Sequence, residues 1–230
     1  MGYPKNPETI VIKNKFYPKG ITELMIWNYY KKVQGPILKE VFNRDLMFFI
    51  MADMNKPIIK RKLKNKYIRL TQANYDTMIT GRTVSIHSSM KGYETFGIID
   101  IDLDPSDGFA WTRKVTENVY EFVMDKMPVV RSAQIRFTGK QSFHIVCDFG
   151  RKMKIDSIRF LLQKFLQQSE LAKIYTIEGK RKPGIPNLDM APNKFKGNYI
   201  TLNSLSIWGL RCMEVPYNKL SIFNPMSARI

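Results

Sequence analysis

From Gly97 to Leu103 apolar and acidic residues alternate, reading Ile99-Asp100-Ile101-Asp102-Leu103-Asp104-Pro105, which is the period of a half-buried β-strand. Successive strand side chains point to opposite faces. Ile99, Ile101 and Leu103 therefore enter a core, while Asp100, Asp102 and Asp104 emerge together on the other side. Carboxylates stacked about 7 Å apart along one face repel unless water, basic side chains or a cation neutralise them. A hard divalent cation meets that need. Two carboxylates at i and i+2, joined by a third from elsewhere, hold paired Mg²⁺ or Mn²⁺ ions of the kind used for in-line phosphoryl transfer. The other reading is the acidic outer face of an ordinary strand ending at a turn with Pro105 and Gly108.

The remainder of the chain has enough apolar residues to bury such a strand. Of its 230 residues 44% are hydrophobic and 12% aromatic, which excludes a disordered, collagen-like or coiled-coil chain. The length suits one unit over residues 1–230, with two lobes around one cleft. No apolar run reaches the roughly 20 residues that cross a bilayer, and the N-terminal ten residues have no hydrophobic signal core. Cys147 and Cys212 are too few for a disulfide framework or a thiolate zinc site. The expectation is a soluble, cytoplasmic, nucleoid-associated protein with no membrane partner.

Charge points to the partner. Thirty-seven Lys and Arg against 20 Asp and Glu leave a formal charge of +17, a self-repulsion best understood if a polyanion is bound. The cations cluster at Lys56, Lys60, Arg61, Lys62, Lys64, Lys66 and Arg69, and again from Lys173 through Lys180, Arg181 and Lys182 to Lys196. Nucleic-acid phosphate is the leading ligand, and a solvated charged face is the alternative.

Periodicity predicts helices over 21–33, 112–127 and 155–168, with a further short helix after Pro36. In the first, Leu24, Trp27, Tyr30 and Val33 form the apolar stripe and Thr22 is the N-cap. Met47–Met51 reads as a buried strand followed by a Lys-rich surface excursion. Residues 129–137 and 143–147 read as a hairpin across Thr138-Gly139, and the rest as short strands and loops. The mixture predicts an α+β fold.

Two further motifs accompany the acids. Ser142-Phe143-His144 begins a strand just after a glycine turn, so Ser142 and His144 share a face from which hydroxyl and imidazole can reach phosphate oxygens. A satisfied structural histidine is the alternative there. Pro186-Asn187-Leu188-Asp189-Met190 puts one acid in a short apolar strand, where a capping aspartate is the alternative. The order is a paired-Asp strand, then Ser-x-His about 40 residues on, then a hydrophobic-Asp strand about 45 further.

In that order the motifs resemble those of the archaeo-eukaryotic primase superfamily. Within it the chain is most similar to the polymerase domain of bacterial ligase D and its stand-alone archaeal and bacterial end-joining relatives. Lys15-Phe16-Tyr17-Pro18 and Asn28-Tyr29-Tyr30 resemble the opening of that domain. Ser85-Ile86-His87-Ser88-Ser89 is similar to the segment whose histidine contacts the nucleotide, and Asp102-Leu103-Asp104-Pro105 to its Asp-Leu-Asp-Pro. Gln141 stands where ligase D has a phosphate-binding lysine, with Lys140 beside it, and the Ser142-x-His144 spacing is similar to that of primase-polymerases.

The resemblance implies an RRM-like catalytic sheet with a smaller N-terminal α/β lobe. It implies two Mg²⁺ or Mn²⁺ ions held by Asp102, Asp104 and Asp189, with Asp100 an accessory or merely surface acid. NTP or dNTP substrates would be bound by Ser142, His144, Arg211, His87, Lys182 and Lys140. DNA and a 5′-phosphate would meet Lys13, Lys15, Lys19, Lys60, Arg61, Lys62 and Lys64. The implied activity is template-dependent nucleotidyl transfer, favouring ribonucleotides, at gaps, overhangs or broken ends in non-homologous end joining, beside a separate ligase and a Ku-like protein. Aromatic residues such as Phe48, Phe49, Tyr67 or Trp208 are candidates to stack on template bases. The alternatives are a primase or primase-polymerase that starts chains de novo, a non-catalytic DNA-end-binding module, and a nuclease using the same carboxylates.

Overall fold

The computed structural model describes residues 21–51, 57–102, 108–179, 184–206 and 209–230. They form two compact units. The first comprises the chain up to Ser89 with Asn198–Met213 and Pro225–Ile230, and the second Met90–Gly197 with Glu214–Asn224.

In the first unit α1 (Glu23–Lys32) starts at Thr22, whose Oγ1 accepts from Met25 N at 3.2 Å, so the expected N-cap forms. The buried stripe is rotated from the expected one. Glu23, Ile26 and Tyr30 face inward, whereas Leu24 and Trp27 are only half-buried. Glu23 can be buried because Arg82 Nε reaches its carboxylate at 2.8 Å, removing the penalty of an unpaired interior charge.

After α2 (Gln34–Glu40), β1 (Leu46–Met51) pairs antiparallel with β2 (Pro57–Lys60) on one side. The Lys-rich excursion is thus not merely loop. It continues into β3 (Lys62–Leu63) and β4 (Lys66–Tyr67), joined by Lys64 and Asn65, both at positive φ, as a two-residue hairpin turn requires. The short helix α3 (Tyr75–Met78) leads to β5 (Thr83–Ser89), which pairs with the other side of β1, and Asn198–Ile200 adds a fourth strand beside β5. Ile26, Tyr30, Phe48, Tyr75, Val84 and Ile86 are fully buried in this core.

The second unit runs β6 (Tyr93–Asp102), α4 (Phe109–Lys126), β7 (Ser132–Phe137), β8 (Phe143–Lys154), α5 (Ile155–Gln167), α6 (Leu171–Ile174), β9 (Thr176–Ile177) and β10 (Asn187–Asp189). Neighbouring strands stand in the order β7-β8-β6-β10-β9. With β6 between β8 and β10, and α4 and α5 as the crossovers, this is the split β-α-β arrangement of RRM-like sheets.

Side chains alternate across it in rows. Phe137, Phe143, Ile101 and Leu188 lie in register over four strands, and all are fully buried. Both long helices cover that apolar face. Phe109 at the start of α4 packs its ring 6.0 Å from Phe137, edge to face, and 5.7 Å from Phe143, tilted. Under α5, a Cβ on Gly97 would stand 2.5 Å from Ile158 and 2.8 Å from Leu162, so only glycine lets the helix sit this close to β6.

Candidate active site

The next row over, on the opposite face, is polar. Arg136 on β7 is in register with His144 on β8, His144 with Asp100 on β6, and Asp100 with Asp189 on β10. Two residues further along β6, Asp102 faces Asn187. One face thus gathers three carboxylates, an imidazole, a guanidinium and an amide. None of these neighbours is adjacent in sequence.

His144 Nε2 lies 3.6 Å from Asp100 Oδ1, too far for a hydrogen bond but near enough for the two to be electrostatically coupled. Burial first, and then the negative charges of Asp102 and Asp189, push the Asp100 carboxyl up to about 8. Its side chain remains 30% exposed, so water still reaches the row. Asp100 is therefore not merely a surface acid: it stands between His144 and Asp189.

The third acid is held firmly. Asp189 Oδ1 accepts from Ala191 N at 2.6 Å, and Glu178 Oε1 accepts from Met190 N at 2.7 Å while its other oxygen pairs with Arg159. Beyond the end of β10, the buried Asn193 takes over the ladder with its side chain. Its Oδ1 accepts from Ile98 N at 2.7 Å, and its Nδ2 donates to the Ile98 carbonyl. That amide pins the segment carrying Asp189 against β6.

The expected Ser-x-His segment lies at the end of the β7–β8 hairpin. Thr138 N donates to the Ser142 carbonyl at 3.0 Å, and Gly139 at φ +84° makes the turn. Phe143 enters the aromatic core while His144 faces the acids; Ser142 precedes the strand, half-buried, and Lys140 is exposed.

His87 and Arg211 belong to the first unit. His87 lies on β5 with Ser85 Oγ 3.1 Å from its Nε2 and the Phe49 ring 5.0 Å away; burial lowers its pKa to about 4. Arg211 lines a cavity of about 460 Å³ with Asn28, Lys32, Arg229 and the apolar Met25 and Val33. Its Nε is buried and meets no acceptor among the described residues. Among the described residues three cationic side chains and no acidic one line this cavity, which suits an anion.

Arg61, Lys62 and Lys64 are exposed and Lys60 half-exposed along β2 and the β3–β4 hairpin, with Lys62 Nζ 5.0 Å from the Tyr67 ring centre. Of the proposed stacking residues, Phe48 is fully buried in the core and Phe49 packs on His87, whereas Tyr67 keeps 40% exposure. Lys13, Lys15, Lys19, Asp104, Lys182 and Trp208 lie outside the described residues. Sequence reading missed Arg136 and Asn187, and its one available signal was their alternation with buried neighbours.

The donors on the polar face suit Mg²⁺ or Mn²⁺: carboxylate oxygens from three aspartates, plus the amide oxygen of Asn187. Among the described residues no three His, Cys, Asp or Glu side chains converge closely enough to hold an ion by themselves. No helix among them is long and apolar enough to cross a membrane.

In fold the chain is similar to the polymerase domain of Mycobacterium tuberculosis ligase D, a structure solved in complex with DNA. The TM-score is 0.80, with 98% of this chain and 89% of that one covered at 14% sequence identity. No protein-family model and no curated protein matches it. The expected α+β class is the one observed, and the chain shares the fold of that polymerase domain, as the resemblance implied.

Proposed function

We propose that the protein is a template-dependent nucleotidyltransferase that extends a nucleic-acid 3′ end at gaps or broken DNA ends. One observation carries the reading. Asp189 stands in register with Asp100, and Asp102 follows on the same face, in a fold similar to a ligase D polymerase domain.

Asp102, Asp104 and Asp189 would hold two divalent cations, Mg²⁺ or Mn²⁺. When bound, these lower the pKa of a 3′-hydroxyl and neutralise charge on a leaving pyrophosphate. The support for Asp104 is the Asp-Leu-Asp-Pro resemblance alone. His144 and Ser142 offer hydrogen-bond donors to phosphate oxygens beside the Gly139 turn, with Lys140 and Lys182 as further cations. Arg211, with Lys32 and Arg229 beside it, and separately His87, are further candidates to bind nucleotide. Lys60, Arg61, Lys62 and Lys64 track the DNA backbone without reading sequence, with Lys13, Lys15 and Lys19 the candidates for a 5′-phosphate. Preference for ribonucleotides, a partner ligase and a Ku-like end binder belong to this proposal on the strength of the resemblance.

The test is extension of a gapped duplex with and without 5′-phosphate, comparing NTPs with dNTPs in Mn²⁺ and in Mg²⁺. A wild-type protein that binds the duplex and adds nothing under any of these conditions sinks the proposal. The Ser142-x-His144 spacing favours a second reading, de novo priming, and dinucleotides made on an unprimed single strand would establish it.

A further inference from the structure

The face that carries the acids also carries a neutral oxygen, the side-chain Oδ1 of Asn187. Asn187 stands in register with Asp102 across the β6–β10 pair and two residues before Asp189 on its own strand, so its side chain emerges among the carboxylates. Asn187 is only 8% exposed, and its Oδ1 is buried without a hydrogen-bond donor among the described residues. A buried acceptor left without a donor is costly, and in native proteins such an orphan calls for a specific explanation, among them an ion that is not seen.

The backbone cannot shift to relieve it. Asn187 is paired with Asp102 on one side and with Thr176 on the other, in the interior of the sheet. Of its cross-strand neighbours on this face, Asp102 and then Asp100 on β6 are acceptors as well, Thr176 on β9 gives its Oδ1 no hydrogen bond, and the cationic end of the row, Arg136, lies three strands away. The cation coupled to Asp189, Arg159, is already paired with Glu178, so this corner is short of positive charge. Hard divalent cations take amide oxygens alongside carboxylates, and an amide completes such a ligand set without a further negative charge.

We infer that Asn187 Oδ1 is a neutral ligand to a divalent cation held with Asp102 and Asp189. The inference rests on the cation site of the proposed function and adds to it a residue outside the acidic motifs.

Mn²⁺ titration followed by electron paramagnetic resonance of the free ion tests it on four proteins: wild type, Asn187→Leu, Asn187→Asp and Asp189→Asn. Melting temperatures without metal are measured in parallel. Leucine keeps the volume and removes the oxygen. Asn187→Leu should weaken Mn²⁺ binding by about tenfold or more, since losing even an outer-sphere partner costs that much, while its metal-free melting temperature holds or rises. Asn187→Asp keeps the oxygen and should bind within a few-fold of wild type.

If Asn187→Leu binds like wild type while Asp189→Asn has lost the ion, the amide is no ligand and the carboxylate site stands without it. A loss in Asn187→Asp equal to that in Asn187→Leu would mean that packing, not ligation, was disturbed, and would also overturn the inference. Should Asn187→Leu fail to fold, Asn187→Ala takes its place under the same two outcomes. Unchanged binding in Asp189→Asn instead defeats the cation site itself, and the role of Asn187 with it.

Discussion

Asn193 holds Ile98 by both its backbone groups, accepting from the amide and donating to the carbonyl, in the position a strand residue would occupy had β10 continued. A single side chain thereby fixes the register that sets Asp189 opposite Asp100.

Replacing Asn193 by leucine leaves the Ile98 amide and carbonyl buried without partners, at about 1–3 kcal/mol each. The expected result is a loss of about 2–6 kcal/mol in denaturant unfolding, together with weaker Mn²⁺ binding. Asn193→Asp, which can still accept from Ile98 N, should lose less of both.

Asp102→Asn and Asp189→Asn should each cut primer extension by about a thousandfold or more, since such acids are asked for several kcal/mol of transition-state stabilisation. Duplex binding, read by fluorescence anisotropy, should change little. Extension within tenfold of wild type would exclude these carboxylates from the chemistry.

His87 makes the first unit sensitive to acid. The groups packed against it are the Ser85 hydroxyl and the Phe49 ring, with Met47 and Ile200 opposite on the neighbouring strands, and none of these carries a charge. Its folded pKa of about 4 lies below its ordinary value of 6.5, so the unfolded chain takes up the proton first. Stability from this residue is complete above pH 6.5 and drains away as pH falls toward 4, by up to about 3 kcal/mol. Carboxylates titrate in the same range, so the measurement is the difference in unfolding free energy between wild type and His87→Gln across pH 4–7. Parallel curves for the two proteins would refute it.

Neutralising Lys60, Arg61, Lys62 and Lys64 to glutamine should weaken duplex binding and flatten its dependence on salt. For every phosphate no longer neutralised, the slope of log K against log salt falls by about 0.9. An unchanged slope would remove this edge from the DNA-binding surface.

Much of this architecture is legible along the chain and little of it across the chain. The alternation at Ile99–Asp102 and the apolar spacing of α4 and α5 declare their elements, because each records the burial of one face of one element. Pairing between strands leaves no such record, so nothing along the sequence couples Asn187 to Asp102, or Arg136 to His144. Asp100 read as an accessory or merely surface acid for the same reason: its surroundings come from the strands on either side of it. The α1 stripe was right at Tyr30 but off by one at Leu24 and Trp27, because Trp27, apolar as it is, stays half-buried while Glu23, neutralised by Arg82, goes inside. In the 57–67 stretch the lysines hid three short strands, although Asn65 at the hairpin turn was a usable sign.

Met90–Gly197, the larger part of the second unit, is inserted into the first, and Ser89 must wait for Asn198, 109 residues later, before their side chains meet. On the ribosome, then, β5 emerges early with one flank unclaimed, and the inserted segment has been made in full before the strand that covers that flank leaves the exit tunnel. Closing so long a loop is slow by its nature, which leaves the N-terminal sheet open for longer to pairing with a neighbouring nascent chain.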